Sequence, residues 1–111
     1  MLTGQKLIME NFIAERRLIA ESISDGERKN ITIRIGIPYW IEEGEIAGCP
    51  VHYEGLFRSF NDRKGADLLQ ALQLASNINV VLATASDEFN FYWQSGEPYE
   101  LEEAKATLRG E

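Results

Sequence analysis

The stretch Ile31 to Tyr39 constrains this chain most. Ile31, Ile33, Ile35, Ile37 and Tyr39 occupy alternate positions, with Thr32, Arg34, Gly36 and Pro38 between them. A strict period of two in β-branched residues specifies an extended strand with one apolar face. Such a face has to be covered, so the chain is committed to a sheet packed against a second layer. Pro38 cannot donate a ladder hydrogen bond, so the strand stops there or lies at an edge.

The flanking segments fit that demand. Ser24 to Asn30 is rich in charge and turn formers and reads as a hairpin loop. Residues 14–23 are then the partner strand. Ile8, Phe12, Ile19 and Ile23 also approach helical spacing, so a helix over this segment stays open, and residues 1–10 read as a short helical or frayed lead. Gly44 and Gly48 break the chain before a third strand over residues 49–56. A polar connection, Phe60 to Asp67, leads to one substantial helix beginning after Asp67, a candidate N-cap. Leu68, Ala71, Leu72, Ala75, Ile78 and Leu82 form its apolar stripe. In a fourth strand Phe89, Phe91 and Trp93 alternate with Asn90, Tyr92 and Gln94. Leu101, Ala104 and Leu108 mark a short C-terminal helix. The expectation is an α+β fold of order β-β-β-α-β: an antiparallel sheet of about four strands, the helix on one face, and Arg34, Trp40, His52, Glu54 and Tyr92 on the open face.

At 111 residues the chain suits a single domain. No apolar run approaches the roughly 20 residues of a membrane helix. The N-terminal stretch lacks a signal-peptide core, and a lone cysteine forms no internal disulfide. These features point to a cytoplasmic protein. The net charge of −7 is uneven. Residues 1–41 hold six basic and five acidic groups, whereas residues 42–111 hold five basic and thirteen acidic groups. An acidic surface repels phosphate backbones and attracts basic protein surfaces, which disfavours nucleic-acid binding.

The only cysteine and the only histidine, Cys49 and His52, sit three residues apart. On a strand they point to opposite faces. A nucleophile–base dyad needs contact near 3 Å, and a metal site needs more nitrogen or sulfur donors than these two. Neither a cofactor nor a metal is expected. The carboxylates form three clusters: Glu42, Glu43 and Glu45; Asp87 and Glu88; and Glu97, Glu100, Glu102 and Glu103. They lie in segments rich in glycine, proline or charge and read as a solvated rim. There is no P-loop glycine spacing and no nucleophile elbow. Trp40, Tyr92 and Tyr99 fall in loops or away from the core face, and exposed tryptophan and tyrosine are the residue types that anchor interfaces.

The segments "AERRL" with "ITIRIGIPY", "CPVHYEGL" and "GADLLQALQLA" together resemble a small bacterial domain family of unknown function. In size, acidity and layout the chain also resembles bacterial immunity proteins, which bind and block a toxin. That resemblance implies a basic toxin domain as partner. The expected function is therefore non-enzymatic protein binding, with Trp40, Glu42, Glu43, Glu45, Tyr92 and Glu97 as contacts and Arg34, His52 and Glu54 as further exposed-face contacts. The alternatives are a subunit that self-associates, for example as a homodimer, and a small enzyme using His52, Glu54 and a carboxylate from residues 97–103.

Overall fold

The computed structural model describes residues 11–57 and 61–110, so the lead expected over residues 1–10 lies outside it. The described elements run β1 (Phe12–Ser22), β2 (Arg28–Gly36), β3 (Tyr39–Glu42), β4 (Ile46–Cys49), β5 (Val51–Glu54), β6 (Arg63–Gly65), α1 (Leu68–Ser76), α2 (Ile78–Thr84), β7 (Phe89–Trp93) and α3 (Glu102–Arg109). The α+β class is as expected, and the segment expected over residues 14–23 is strand rather than helix, with β1 ending at Ser22. The sheet is not single. One sheet has four strands in the order β5-β2-β1-β7, and a second has three in the order β3-β4-β6; every pairing is antiparallel.

The two sheets share one long bent hairpin. β2 pairs with β5 in the first sheet, and their continuations β3 and β4 pair in the second. The corner is chemical. Pro38 and Pro50 have no amide to offer a ladder. Gly36 lies so close to Pro50 that a Cβ there would sit 3.0 Å from the ring, and its amide donates to the Pro50 carbonyl at 2.9 Å. The strand expected over residues 49–56 is thus two strands, β4 and β5, that belong to different sheets. The corner also ends the isoleucine pattern: Ile31 and Ile33 are buried and Ile35 is half-buried, whereas Ile37 and Tyr39 are exposed.

The expected helix is likewise two. Asn77, at φ −81° and ψ 61°, leaves helical geometry between α1 and α2. The stripe survives the break, because Ala71, Ala75, Ile78 and Leu82 are all buried and Leu68 and Leu72 pack against them. Asp67 caps α1 by accepting the Gln70 amide at 2.8 Å. The connection expected over residues 60–67 contains β6, which packs with β4 against α1. One core joins both sheets to the helices: Leu18, Ile31, Ile33, Val51, Tyr53 and Phe91 meet Ala47, Cys49, Ala75 and Leu82. Trp93, which shares the alternating aromatic face of Phe89 and Phe91, is 40% exposed, whereas Phe91 is buried.

Tyr99 is buried rather than in an exposed loop. Its hydroxyl donates to Asn79 Oδ1 at 2.6 Å and accepts from Arg16 Nη1 at 2.8 Å. The Arg16 guanidinium lies over the rings of both Trp93 and Tyr99. This hub pins the segment before α3 to β1, β7 and α2 and satisfies a buried hydroxyl on both sides.

Candidate protein-binding site

Of the residues singled out from sequence, Trp40, Glu42, Glu43 and Glu45 are brought together on the β3–β4 hairpin. Its tip is closed by the Glu45 amide donating to the Glu42 carbonyl at 2.8 Å, with Gly44 in the left-handed region at φ +78°. Gly44 and Gly48, expected only to interrupt the chain, have separate roles: Gly44 turns it, and Gly48 lies inside β4.

All four residues of β3 are exposed. β3 is an edge strand, paired with β4 alone among the described residues. The register sets Trp40 beside Ala47 and Gly65, on the face toward α1. Tyr39 and Ile41 take the other face. The Tyr39 ring crosses the bare backbone of Gly48, where a Cβ would lie 2.9 Å from it. Its hydroxyl then reaches past β4 and donates to Asp62 Oδ2 at 2.5 Å, and this bond holds the phenol above its usual pKa. β3 is thereby fixed across the whole three-stranded sheet, while no described strand pairs with its outer edge. Ile37, Ile41 and Ile46 are 54%, 48% and 41% exposed. Among the described residues, no ion pair involves Glu42, Glu43 or Glu45.

The other expected contacts lie elsewhere. Arg34, His52 and Glu54 share the outer face of the four-stranded sheet, with His52 opposite Arg34 in register. Arg34 donates to Glu54 Oε1 at 2.9 Å and to Glu15 Oε1 at 3.3 Å, and Glu15 is held below the ordinary carboxylate range chiefly by that bond. Tyr92 is on the same face but in β7, at the sheet edge opposite β5. Its hydroxyl donates to Glu21 at 3.0 Å beneath the Arg28 guanidinium. Glu97 follows β7, where its carbonyl accepts the Trp93 amide at 2.8 Å. Trp40, expected on this open face, belongs to the second sheet. Three strand spacings, about 14 Å, separate β5 from β7, so residues 97–103 do not converge on His52.

Cys49 is fully buried, its thiol donating to the Gly36 carbonyl at 3.4 Å, and burial raises its pKa. Among the described residues no group of three or more His, Cys, Asp or Glu side chains could hold a metal ion. Two clefts beside α3, about 190 and 430 Å³, include none of residues 37–49. No described helix is long and apolar enough to cross a membrane.

Ile37, Tyr39, Ile41, Ile46 and Asp62 were not among the expected contacts. The signal for the first four lay in "IPYWIEEGEI", two apolar runs around an acidic, glycine-containing turn. Asp62 had none, because its role depends on β6 lying two strands from β3. No family model, curated protein or solved structure matches the chain.

Proposed function

We propose that this chain is a non-enzymatic, cytoplasmic protein that works by binding another protein through its β3–β4 hairpin. In its most concrete form it is an immunity protein that neutralises a bacterial toxin with a basic surface. One observation carries the reading: an exposed edge strand bearing Tyr39, Trp40 and Ile41 runs directly into an acidic tip, Glu42, Glu43 and Glu45, that has no ion pair among the described residues. An aromatic anchor beside unneutralised charge suits a partner that is steered by charge and held by apolar contact.

The test is a titration against the product of the adjacent gene. The expected result is binding at micromolar concentration or tighter, weakened at least tenfold by Trp40→Ala and slowed in association by Glu43→Lys. No binding at micromolar concentration sinks the toxin-neutralising form.

A self-associating subunit is the second reading, favoured by the open edge of β3. Sedimentation discriminates, since a stable dimer at micromolar concentration supports it. The net charge of −7 on each copy weighs against it.

A further inference from the structure

We infer that the partner is captured by strand addition: an extended segment carrying lysine or arginine beside apolar residues pairs along the open edge of β3. This rests on the protein-binding reading above and names its mode and its occupant.

The edge strands differ in what they offer: β5 pairs with β2 alone among the described residues but exposes no large apolar side chain. The outer edge of β7 is closed by the chain itself, as the Trp93 amide donates to the Glu97 carbonyl at 2.8 Å and the Tyr99 amide to the Phe91 carbonyl at 2.9 Å. At the far side of the second sheet, β6 is backed by α1. β3 has no such cover among the described residues, although it is held rigidly from behind by β4 and by the Tyr39–Asp62 bond. An exposed apolar edge is a template for another strand. Main-chain groups supply the pairing, and alternate side chains supply the selectivity.

The same edge limits what it accepts. Pro38 stops pairing on one side, and the irregularity between Trp40 and Glu42 distorts it on the other. The template is therefore short, at most about 14 Å for four residues, with the irregularity inside it. A template this short favours an occupant whose side chains add contacts. Trp40 presents an apolar surface on one face, Tyr39 and Ile41 do so on the other, and Glu42, Glu43 and Glu45 follow immediately. A segment of alternating apolar and basic residues complements both features. A second copy of this chain, also at −7, complements only the first.

The probe is a ten-residue peptide of alternating lysine and valine, titrated into the full chain while backbone amides are followed by hydrogen exchange. The expected result is saturable binding and at least tenfold slower exchange at amides within residues 39–42. A central proline in the peptide is expected to weaken binding at least tenfold. A glutamate–valine peptide is expected not to bind.

Three outcomes of the peptide experiment overturn the inference. Absence of binding at millimolar peptide is one. Equal binding of the proline-containing peptide is another, since it means contact through charge and side chains alone. Protection of residues 39–42 without peptide, in a dimer seen by sedimentation, is the third and assigns the edge to a second copy. Titration with the adjacent gene product separates this inference from the functional reading. A partner lost on Trp40→Ala, with β3 amides unprotected in the complex, removes strand addition and leaves protein binding intact.

Discussion

The outer face of the four-stranded sheet and the β3–β4 hairpin are both exposed and both charged, yet they are built in opposite ways. On the sheet face nearly every charge has a partner within the chain. Arg34 bridges Glu15 and Glu54, Arg17 reaches Glu15 at 2.9 Å, and Arg28 meets Glu21 at 3.2 Å while covering the Tyr92 ring. On the hairpin the carboxylates have no ion-pair partner among the described residues, and Tyr39, Trp40, Ile41 and Ile46 keep 37–48% of their surface exposed. Charge already matched within the fold offers little to another molecule. Charge left unmatched next to exposed apolar surface offers both steering and contact. That contrast, rather than acidity as such, separates a solvated face from a docking one.

The largest expected effect sharpens the contrast by truncating one side chain in the core beneath the four-stranded sheet and one on the hairpin. Leu18 is fully buried in β1, between β2 and β7. Leu18→Ala leaves a cavity in the core shared by both sheets and is expected to cost about 2–5 kcal/mol by urea denaturation. Trp40→Ala truncates a larger side chain on an exposed edge strand and is expected to cost less than about 1 kcal/mol while weakening partner binding. Comparable stability losses for the two break the distinction between scaffold and contact surface.

Next in size is an alkaline effect confined to the scaffold. Tyr53 is 3% exposed, and burial pushes its phenol up from 10.0 to about 12, with Arg63 acting weakly against the shift. A raised folded-state pKa gives stability that is complete below pH 10 and is lost as pH rises through about 12. The shift corresponds to about 2–3 kcal/mol across that window. Tyr53→Phe is expected to flatten the alkaline limb of the stability profile. An unchanged limb means that Tyr53 is not the group responsible.

How far the sequence foretold this contrast depends on the range of the interaction. Local patterns carried well. Alternation identified the strand through Ile31 and Ile33, the 3.6-residue stripe identified the helical segment, and Asp67 was recognisable as a cap. The division into two sheets did not carry, because Ile31 to Tyr39 alternates without a flaw through the corner that sends Ile37 and Tyr39 to solvent. Pro38 and Pro50 were visible, but that Pro50 lies against Gly36 across a single bent ribbon is a matter of register. Trp40 and the glutamates of the hairpin were legible as exposed residues from their types and the glycine beside them. Tyr92 looked equally suitable and is instead held by Glu21, and Tyr99 is buried against Arg16 and Asn79. Both are engaged by residues more than seventy positions away in β1, beyond the reach of any local pattern.

A smaller effect concerns the helix that supports the hairpin from behind. Asp67→Ala removes the only side-chain acceptor capping α1 among the described residues and is expected to cost about 1 kcal/mol. α1 packs on β4 and β6, so hydrogen exchange should quicken in the three-stranded sheet before it does in β1 and β2. Uniform loosening of both sheets means that they open as one unit.

The smallest expected effect tests the sheet face directly. Arg34 holds Glu15 below its usual range, and a lowered carboxylate pKa gives stability that is present above 4.5 and lost as pH falls through the folded-state value. Both partners are open to solvent, so screening should erase most of that gain. Arg34→Gln is expected to lower stability slightly at neutral pH in dilute buffer, and not measurably in high salt or in acid where Glu15 is protonated in the folded state. Its effect on partner binding should be within twofold, because Arg34 is already engaged by Glu15 and Glu54. A tenfold loss of binding on Arg34→Gln, with Trp40→Ala neutral, reverses the assignment and makes the charge-paired face the one that docks.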